Sequence, residues 1–479
     1  MDQSQIDLIV KKVLERLEQN GKYRTTPSAC SSPVLASTGD GIFNDMEQAI
    51  EAAAVAQSVL KDMTLEKRKE IIDAIRQVGI DNAEEFAKRT VEETKMGRVD
   101  HKILKCKLAS TRTPGIEDLE SIAWSGDYGL TVVEMAPFGV IGAITPSTHP
   151  VPTVINNSIS MIAAGNSVVV NAHPGAKNVS NFGVQLINRA IVAAGGPPNL
   201  VTAVETPTLE TGRILFNHPK INLLCITGGP GVVRAAMKAA KRAICAGPGN
   251  PPVVVDETAD LAKAAKSIIE GATFDNNLLC ISEKEIIVVE RVADELKRQL
   301  TLHGAYEIST QQMDRLADIV FENGGKGTDE PIVSRQYVGR DVSVLAQALA
   351  LNIPANTQML FGETPADHPF VLAEQMMPCL PLIRVADVDT AIELAKKVEH
   401  GFKHTAIMHS KDVEHLTRMG KAMDCTLFVK NGPSTAGDGV GGEGFFTHSI
   451  ASPTGEGFTS ARTFTRTRRC TMVDYLRIV

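Results

Sequence analysis

The sequence lacks the features that mark membrane, secreted, zinc-binding and nucleic-acid-binding proteins. No apolar run reaches the ~20 residues needed to cross a bilayer, and the charged N-terminus has no apolar signal-peptide region. The eight cysteines form no C-x-x-C pair and no Cys/His spacing typical of a metal site. A net charge of -7 leaves no broad basic surface for nucleic acid. We therefore expect a soluble cytoplasmic protein with reduced thiols, no metal, and no membrane or nucleic-acid partner.

Helical and strand-like segments alternate over most of the 479 residues. The stretches "PFGVIGAIT", "GNSVVVNAH" and "INLLCIT" are short, apolar and β-branched, as strands buried on both faces are, and each precedes a helical pattern. This alternation predicts an α/β fold with a parallel sheet. The segment "GDYGLTVVEMAPFG" instead begins with turn residues and alternates in polarity, which predicts an exposed antiparallel arm.

The first twenty residues have a helical pattern of their own. Apolar side chains recur at helical spacing and predict an amphipathic helix over residues 1–20; they are Ile6, Ile9, Val10, Val13, Leu14 and Leu17. Residues 21–40 are rich in Ser, Thr, Pro and Gly and are predicted to form a flexible linker. The apolar face must be buried, either on the protein's own body or an oligomer partner, or in a groove of another protein.

A glycine-rich turn follows the predicted strand "INLLCIT". Thr227 ends the strand, and Gly228, Gly229 and Gly231 open the next helical stretch. Backbone N–H groups at a helix start, when side chains do not cover them, form a phosphate site. The spacing is not G-x-G-x-x-G, so these residues alone leave a plain strand-to-helix turn open as an alternative.

Cys280 ends the stretch "FDNNLLC" and precedes a predicted strand. A lone cysteine is most often a buried, space-filling residue. The local sequence therefore leaves open whether Cys280 packs or reacts.

Several motifs follow one another along nearly the whole chain, among them "PFGVIGAITPSTHP", "ITGGPGVV", "AGPGNPPVVVDETADLAKAA", "EQMMPCLPLIRV" and "PTGEGFTSARTF". In this order they resemble the aldehyde dehydrogenase superfamily, most closely its CoA-acylating branch, the propionaldehyde and acetaldehyde dehydrogenases of bacterial microcompartments. The resemblance implies a Rossmann-type nucleotide-binding domain over 41–245 with an oligomerisation arm at 116–135. It further implies an α/β catalytic domain over 246–445 and a C-terminal oligomerisation segment over 446–479. It implies a homo-oligomer, dimer or tetramer.

The resemblance assigns chemistry to Cys280. It implies that the thiolate attacks an aldehyde carbonyl, giving a thiohemiacetal and then a thioester. The oxyanion would be held by the N–H of Cys280 and by a side chain near Thr148. Close relatives carry Asn where this chain has His149, so His149 either donates to the oxyanion or shapes the pocket.

The same resemblance assigns residues to the nucleotide. Gly228 and Gly229, with Thr227 before them, fall on the pyrophosphate turn, and Glu374 of "EQMMP" falls on the carboxylate that binds the nicotinamide ribose. His173 of "NAHPG" stands where many NAD-preferring relatives hold the adenosine ribose with Lys and Glu. We expect NAD as the cofactor, with NADP left open.

The residues upstream of the cysteine motif indicate the acyl acceptor. Hydrolytic relatives have "ELGGK" where this chain has "AGPGN", so Ala246 replaces the Glu that activates water. A thiol such as coenzyme A has a far larger anionic fraction near neutral pH than water has. His404 stands where CoA-acylating relatives have a histidine; it either deprotonates CoA or has a structural hydrogen-bonding role.

We therefore expect an enzyme that reversibly oxidises a short-chain aldehyde, propanal or acetaldehyde, to its acyl-CoA with NAD. The resemblance also implies that residues 1–20 dock on shell proteins, which would place the enzyme inside a bacterial microcompartment in the cytoplasm. Two alternatives are a hydrolytic dehydrogenase that releases the free acid and an inactive scaffold kept for its N-terminal helix. The retained Cys280, Glu374 and glycine turn argue against the scaffold.

Overall fold

Eighteen strands lie among the residues that the computed structural model describes, 40–328 and 330–478. In the first half of the chain they are β1 (Ile42–Phe43), β2 (Ile122–Gly126), β3 (Gly129–Pro137), β4 (Val140–Thr145), β5 (Ser167–Ala172), β6 (Val201–Val204), β7 (Ile221–Thr227) and β8 (Ala243–Ala246). In the second half they are β9 (Pro252–Val255), β10 (Glu285–Val289), β11 (Ala305–Glu307), β12 (Met359–Glu363), β13 (Cys379–Val385), β14 (Thr405–His409), β15 (Leu427–Lys430), β16 (Ile450–Ala451), β17 (Gly457–Phe458) and β18 (Thr465–Val473).

The described residues also form fifteen α-helices. The first eight are α1 (Met46–Leu60), α2 (Leu65–Asp81), α3 (Ala83–Thr94), α4 (Val99–Arg112), α5 (Pro150–Ala163), α6 (Lys177–Ala193), α7 (Leu209–Asn217) and α8 (Pro230–Met237). The others are α9 (Leu261–Thr273), α10 (Glu290–Leu302), α11 (Thr310–Val320), α12 (Val342–Ala348), α13 (Pro369–Leu372), α14 (Val388–Val398) and α15 (Val413–Met423).

Two parallel sheets form the framework. The first has six strands in the order β1-β6-β5-β4-β7-β8, and the second has seven in the order β11-β12-β13-β10-β9-β14-β15. Strands β4, β5 and β7 are buried along almost their whole length, as β-branched strands covered by helices on both faces must be. The three strands predicted from "PFGVIGAIT", "GNSVVVNAH" and "INLLCIT" are thereby confirmed, and so is the parallel α/β fold.

A separate three-stranded antiparallel sheet has the order β18-β3-β2. It contains the segment in which the sequence predicted an antiparallel arm, and the C-terminal strand β18 joins it along the full length of β3. The outer strand β18 is exposed beyond its first residue. An edge strand of this kind presents unpaired backbone groups to whatever lies beside it.

The predicted helix over 1–20 and the linker, apart from Asp40, lie outside the described residues. The described residues belong to one compact unit, so the domain limits at 245 and 445 within it stay predictions. Within the described ranges, no helix combines the length and apolar character needed to cross a bilayer.

Candidate active site

The loop that presents Cys280 has a left-handed backbone. Asp275, Asn276 and Asn277 have consecutive φ values of 50°, 56° and 67°, in the region that Asn and Asp tolerate better than most residues. These residues form a 3-10 turn, Phe274–Asn277, that follows α9 directly. The polar "DNN" triplet therefore turns the chain so that Cys280 stands between a helix and the strand β10.

A buried ion cluster ties this loop to helix α4. Lys102 and Lys105 donate to the same carboxylate oxygen of Asp275, at 2.9 and 2.6 Å. The other oxygen accepts the backbone N–H of Arg98 at 2.8 Å. Lys102 also donates to the carbonyl of Thr148 at 3.0 Å. Because buried charges need such partners, the cluster fixes the cysteine loop against the "PSTHP" loop.

Lys284, a fully buried lysine, holds the other end of the cysteine loop. Its Nζ donates to the main-chain and side-chain oxygens of Asn277, at 3.0 and 2.5 Å, and lies 3.4 Å from the carbonyl oxygen of Leu279. Burial lowers the pKa of Lys284. Lys284 therefore fixes the main chain just before Cys280 and puts an ammonium group near the thiol.

The thiol of Cys280 is partly exposed, whereas that of Cys379 is buried. Burial, with smaller contributions from the carboxyl groups of Glu374 and Asp438, raises the pKa of Cys280 to about 12, and Lys284 acts in the opposite direction. The enzyme without substrate therefore holds a protonated thiol at neutral pH.

This pKa predicts how Cys280 reacts with iodoacetamide in the absence of aldehyde and nucleotide. Only the thiolate is alkylated, so the rate should rise about tenfold per pH unit from pH 7 to 9.5, without a plateau. Lys284→Met should lower the rate at each pH, because the thiolate loses its nearest cation. The measurement is the time course of alkylation of the Cys280 peptide by mass spectrometry. A plateau below pH 9 would show that Lys284 outweighs burial and the carboxyl groups.

Gly249 brings the nucleophile, a histidine and a carboxylate together. A Cβ at this position would overlap the carbonyl oxygen of Cys280 and lie 3.1 Å from Cγ of His404. The N–H of Gly249 donates to the carboxylate of Glu374. Burial raises the pKa of Glu374 to about 7, and Lys284 and this hydrogen bond oppose the rise. Cys280, Glu374 and His404 thus surround one glycine although they are far apart in the sequence.

His404 is buried just before strand β14. Its Nδ1 lies 2.8 Å from Oγ1 of Thr405, and its backbone N–H donates to Glu399 at 2.8 Å. Burial, with a smaller contribution from Lys284, lowers the pKa of His404 to about 4. The ring is therefore neutral near pH 7, and its Nε2 has no hydrogen-bond partner among residues 40–328 and 330–478.

Thr148 and His149, the predicted oxyanion residues, form one unit. Oγ1 of Thr148 lies 3.0 Å from Nδ1 of His149. The His149 ring stacks on that of His448, with centroids 4.5 Å apart and planes inclined by 17°. Burial lowers the pKa of His149 well below its ordinary value, so the ring is neutral near pH 7. When Thr148 donates to Nδ1, the proton of His149 resides on Nε2, which can then act as a donor.

The glycine turn leaves its backbone open. Helix α8 begins directly after Gly229, and a side chain at Gly229 or Gly231 would meet no atom of the described residues within 4 Å. The N–H of Gly228, however, donates to the carbonyl of Ala246 at 3.2 Å. The N–H groups from Gly229 onward are therefore the ones available to an anion.

The other residues predicted to bind nucleotide lie at the same edge of the first sheet. Thr227 ends β7 and His173 follows β5, the two strands that flank β4. Carboxyl ends of parallel strands meet at one edge, where α/β folds bind ligands. The Thr227 hydroxyl lies 2.8 Å from that of Ser449. His173 is exposed, and its Nδ1 accepts the N–H of Gly175 at 3.0 Å.

Sequence reasoning missed the groups that hold the cysteine loop. Asp275, Lys102 and Lys105 belong to no motif that spacing alone could reveal. Lys284 gave one usable signal, since "SEKE" puts three charged residues directly before the apolar run "IIVV". Charged residues that lead into a buried strand are themselves buried here, and buried charges often mark functional sites.

A parallel α/β framework, an open glycine turn at the carboxyl edge of its first sheet, and a loop-borne cysteine beside a buried carboxylate define an α/β dehydrogenase of the cysteine-nucleophile type. Residues 18–326 match the model of the aldehyde dehydrogenase family. The chain is 50% identical, over 100% of both chains, to the acetaldehyde dehydrogenase (acetylating) of Escherichia coli. It is 47% identical, over 91% of its own length and 93% of the relative, to the propanal dehydrogenase (CoA-propanoylating) of Citrobacter freundii.

Solved structures agree. A propionaldehyde dehydrogenase from the fucose utilisation bacterial microcompartment of Clostridium phytofermentans is 50% identical and superimposes with a TM-score of 0.89, over 92% of this chain and 100% of that one. The propionaldehyde dehydrogenase of Rhodopseudomonas palustris with bound propionyl-CoA is 48% identical, also with a TM-score of 0.89, over 95% and 100%. The chain belongs to the aldehyde dehydrogenase family and to its CoA-acylating branch, as its motifs predicted.

Proposed function

We propose that this enzyme oxidises a short-chain aldehyde, acetaldehyde or propanal, to its acyl-CoA with reduction of NAD. Relatives named for these two aldehydes match essentially the whole chain. The observation that carries the proposal is the contact of Gly249 with Cys280, His404 and Glu374. It joins a nucleophile, a neutral histidine and a carboxylate in one place, while Ala246 replaces the glutamate of hydrolytic relatives.

Cys280 carries the first half of the reaction. Its sulfur adds to the aldehyde carbon and the thiol proton leaves, which gives a thiohemiacetal. The developing oxyanion needs fixed donors; the N–H of Cys280 and Nε2–H of His149 would supply them, with Thr148 fixing the imidazole tautomer. NAD, when bound, accepts the hydride of the former aldehyde carbon. An acyl thioester then remains on Cys280.

The second half needs an acyl acceptor. The methyl group of Ala246 cannot activate water, so the thioester persists until a thiol attacks it. CoA supplies that thiol, and Nε2 of His404 would accept its proton. The low pKa of His404 keeps the ring neutral at physiological pH, so Nε2 is available to accept a proton and releases it readily afterwards.

The residues present fit a dinucleotide. The open N–H groups from Gly229 onward suit a pyrophosphate, and the carboxyl group of Glu374 beside Cys280 suits a ribose hydroxyl close to the reacting carbon. At the other end of the site, His173 is exposed on the same sheet edge. A solvent-facing imidazole there does not exclude a 2′-phosphate, so we propose NAD, with NADP left open.

Omitting CoA tests the proposed function directly. With enzyme, NAD and propanal alone, NADH should appear as a burst of about one equivalent per subunit, because the acyl-enzyme has no acceptor. Adding CoA should restart NADH formation and give propionyl-CoA. Stopped-flow absorbance follows the burst, and chromatography identifies the product. Steady production of propanoic acid without CoA would instead establish the hydrolytic alternative.

His404→Ala provides the matching second arm of that experiment. The burst should keep its size and rate, whereas turnover with CoA should fall about 100-fold, the usual range for loss of a general base. An equal loss in the burst and in turnover would show that His404 supports the fold of the site and not the proton transfer.

The antiparallel sheet supports the proposal of a homo-oligomer. Its strands and the segment after β18 expose large apolar side chains, namely Trp124, Tyr128, Met472, Val473, Tyr475 and Ile478. A second copy of the chain that covers this face and the edge of β18 would bury them.

We further propose that the enzyme works inside a bacterial microcompartment, with residues 1–20 docked on shell proteins. A structural relative comes from such a compartment. The apolar stripe from Ile6 to Leu17 suits a helix laid into a groove, and isolated helices of this length are marginal in water. Confinement would keep a reactive aldehyde beside the enzyme that consumes it.

Ile9→Glu combined with Val13→Glu should abolish co-purification of the enzyme with shells, because two charges interrupt the apolar stripe. The charge-matched control is Gln5→Glu with Gln19→Glu, which should co-purify normally. Deleting residues 1–20 should leave turnover in solution unchanged. Quantitative immunoblots of purified compartments provide the measurement. Loss of activity or of the oligomer on truncation would assign the helix to the enzyme body and contradict the targeting role.

A further inference from the structure

Three polar side chains close to the nucleophile have no part in the chemistry described above. Thr435, Asp438 and His448 are 2%, 3% and 5% exposed. Thr435 and Asp438 belong to one turn, Ser434–Asp438, and the ring of His448 stacks on His149. Polar groups are costly to bury unless something pairs with them.

These side chains lie on the side of Cys280 where a cavity opens. Cys280 packs against an apolar cluster that contains Phe274 and Ile450. Phe274 and Thr435 both line a cavity of about 750 Å³, and Ile450 is two residues beyond His448. The carboxyl group of Asp438 is close enough to Cys280 to raise its pKa. A small molecule that enters through this cavity therefore meets the three polar groups beside the thiol.

Their hydrogen bonds are incomplete within the protein. Oγ1 of Thr435 and Nε2 of His448 are buried and have no partner in the described ranges. Asp438 accepts the backbone N–H of Thr447 at 3.1 Å. Burial raises the pKa of Asp438 well above its ordinary value, so the carboxyl group keeps its proton near pH 7 and can donate as well as accept. Together they offer donors and acceptors without a net charge.

We propose that the aldehyde pocket is built for a short-chain aldehyde that carries a hydroxyl group, recognised by Asp438, Thr435 and His448. The inference rests on the proposed function, because the aldehyde carbon must reach Cys280. A hydroxyl group has one donor and two acceptor positions and so matches a neutral carboxyl group, a threonine hydroxyl and an uncharged imidazole. The hydroxylated forms of propanal and acetaldehyde are the substrates of this class.

The same groups disfavour the alternatives. A plain aldehyde would leave buried donors and acceptors unpaired, and a site built to hydrogen-bond a substrate hydroxyl rejects analogues that lack it. A carboxylate tail would need a cation, but Lys102 and Lys105 are already paired with Asp275. The uncharged hydroxyl is the group that the pocket satisfies.

The test compares substrate pairs in the complete enzyme with NAD and CoA. We would measure kcat/KM for 2-hydroxypropanal and 3-hydroxypropanal against propanal, and for glycolaldehyde against acetaldehyde, with each value corrected for aldehyde hydration. At least one hydroxylated aldehyde should exceed its plain counterpart by ~10-fold. Asp438→Leu should reduce that ratio to about one, and so should the isosteric Thr435→Val. The control is Asp62→Leu at an exposed position, which should leave the ratio unchanged.

The ratio separates the two hypotheses, because a general loss of activity in a variant affects both substrates alike. If the parent enzyme oxidises no aldehyde in a CoA-dependent way, the proposed function fails. If it oxidises propanal and acetaldehyde with CoA as efficiently as their hydroxylated forms, only the substrate inference is overturned. A preference for succinic semialdehyde would overturn it in favour of an anionic tail. A hydroxyl preference that survives both substitutions would also overturn it.

Discussion

Cys280→Ala should lower CoA-dependent aldehyde oxidation by at least ~1,000-fold, because no other group of the site can form the thioester. The burst without CoA should disappear as well, since it counts acyl-enzyme. Alanine retains the apolar contact that the cysteine makes with its cluster, so folding should change little. NADH absorbance gives the activity, and thermal unfolding with NAD titration shows whether the fold and the nucleotide site remain.

Two comparisons sharpen this prediction. Cys470→Ala removes an exposed thiol on strand β18, outside the site, and should keep full activity. Cys280→Ser keeps an oxygen nucleophile but makes a poor one, because a serine hydroxyl ionises far less readily than a thiol. A serine enzyme that retained a tenth of the activity would contradict the role given to Cys280.

The fold could be predicted because its signals are local. β-Branched runs identify β4, β5 and β7, and the helical stretches between them require parallel strands. The glycine turn could be placed for the same reason, since strand, turn and helix follow one another in the chain. Whether Cys280 packs or reacts could not be settled locally. Family motifs over the whole chain decided it, and the loop geometry is consistent with that choice.

The residues that position the nucleophile could not be predicted because their partners are distant. Lys105 lies 170 residues before the Asp275 that it pairs with, and only the packing of α4 against the cysteine loop brings the two together. The contact of Gly249 with Cys280 and His404 joins residues that no periodic pattern links. The sequence correctly named the candidate chemical groups, but the charged clamp and the polar groups of the cavity depend on tertiary structure.

Gly249→Ala should lower aldehyde oxidation by about 100-fold although it adds a single methyl group. The new Cβ would overlap the carbonyl oxygen of Cys280, a backbone atom that cannot rotate away, so the nucleophile loop must shift. A displacement of about 1 Å at a reacting group costs about 100-fold in rate. Gly249 has an ordinary negative-φ backbone, so the substitution adds steric overlap without left-handed strain. NADH formation measures the loss, and thermal unfolding confirms that the protein stays folded.

Gly126→Ala is the matched control, because a Cβ there would meet no atom of the described residues within 4 Å; it should behave as the parent. The two halves of the reaction provide a second readout. The added methyl group would press on the carbonyl of Cys280 and on the ring of His404, 3.1 Å away. Gly249→Ala should therefore slow both the NADH burst and acyl transfer to CoA, whereas His404→Ala should slow only the transfer. A variant at 249 with a normal burst and slow transfer would show that the cysteine loop yields to the methyl group and that His404 alone is disturbed.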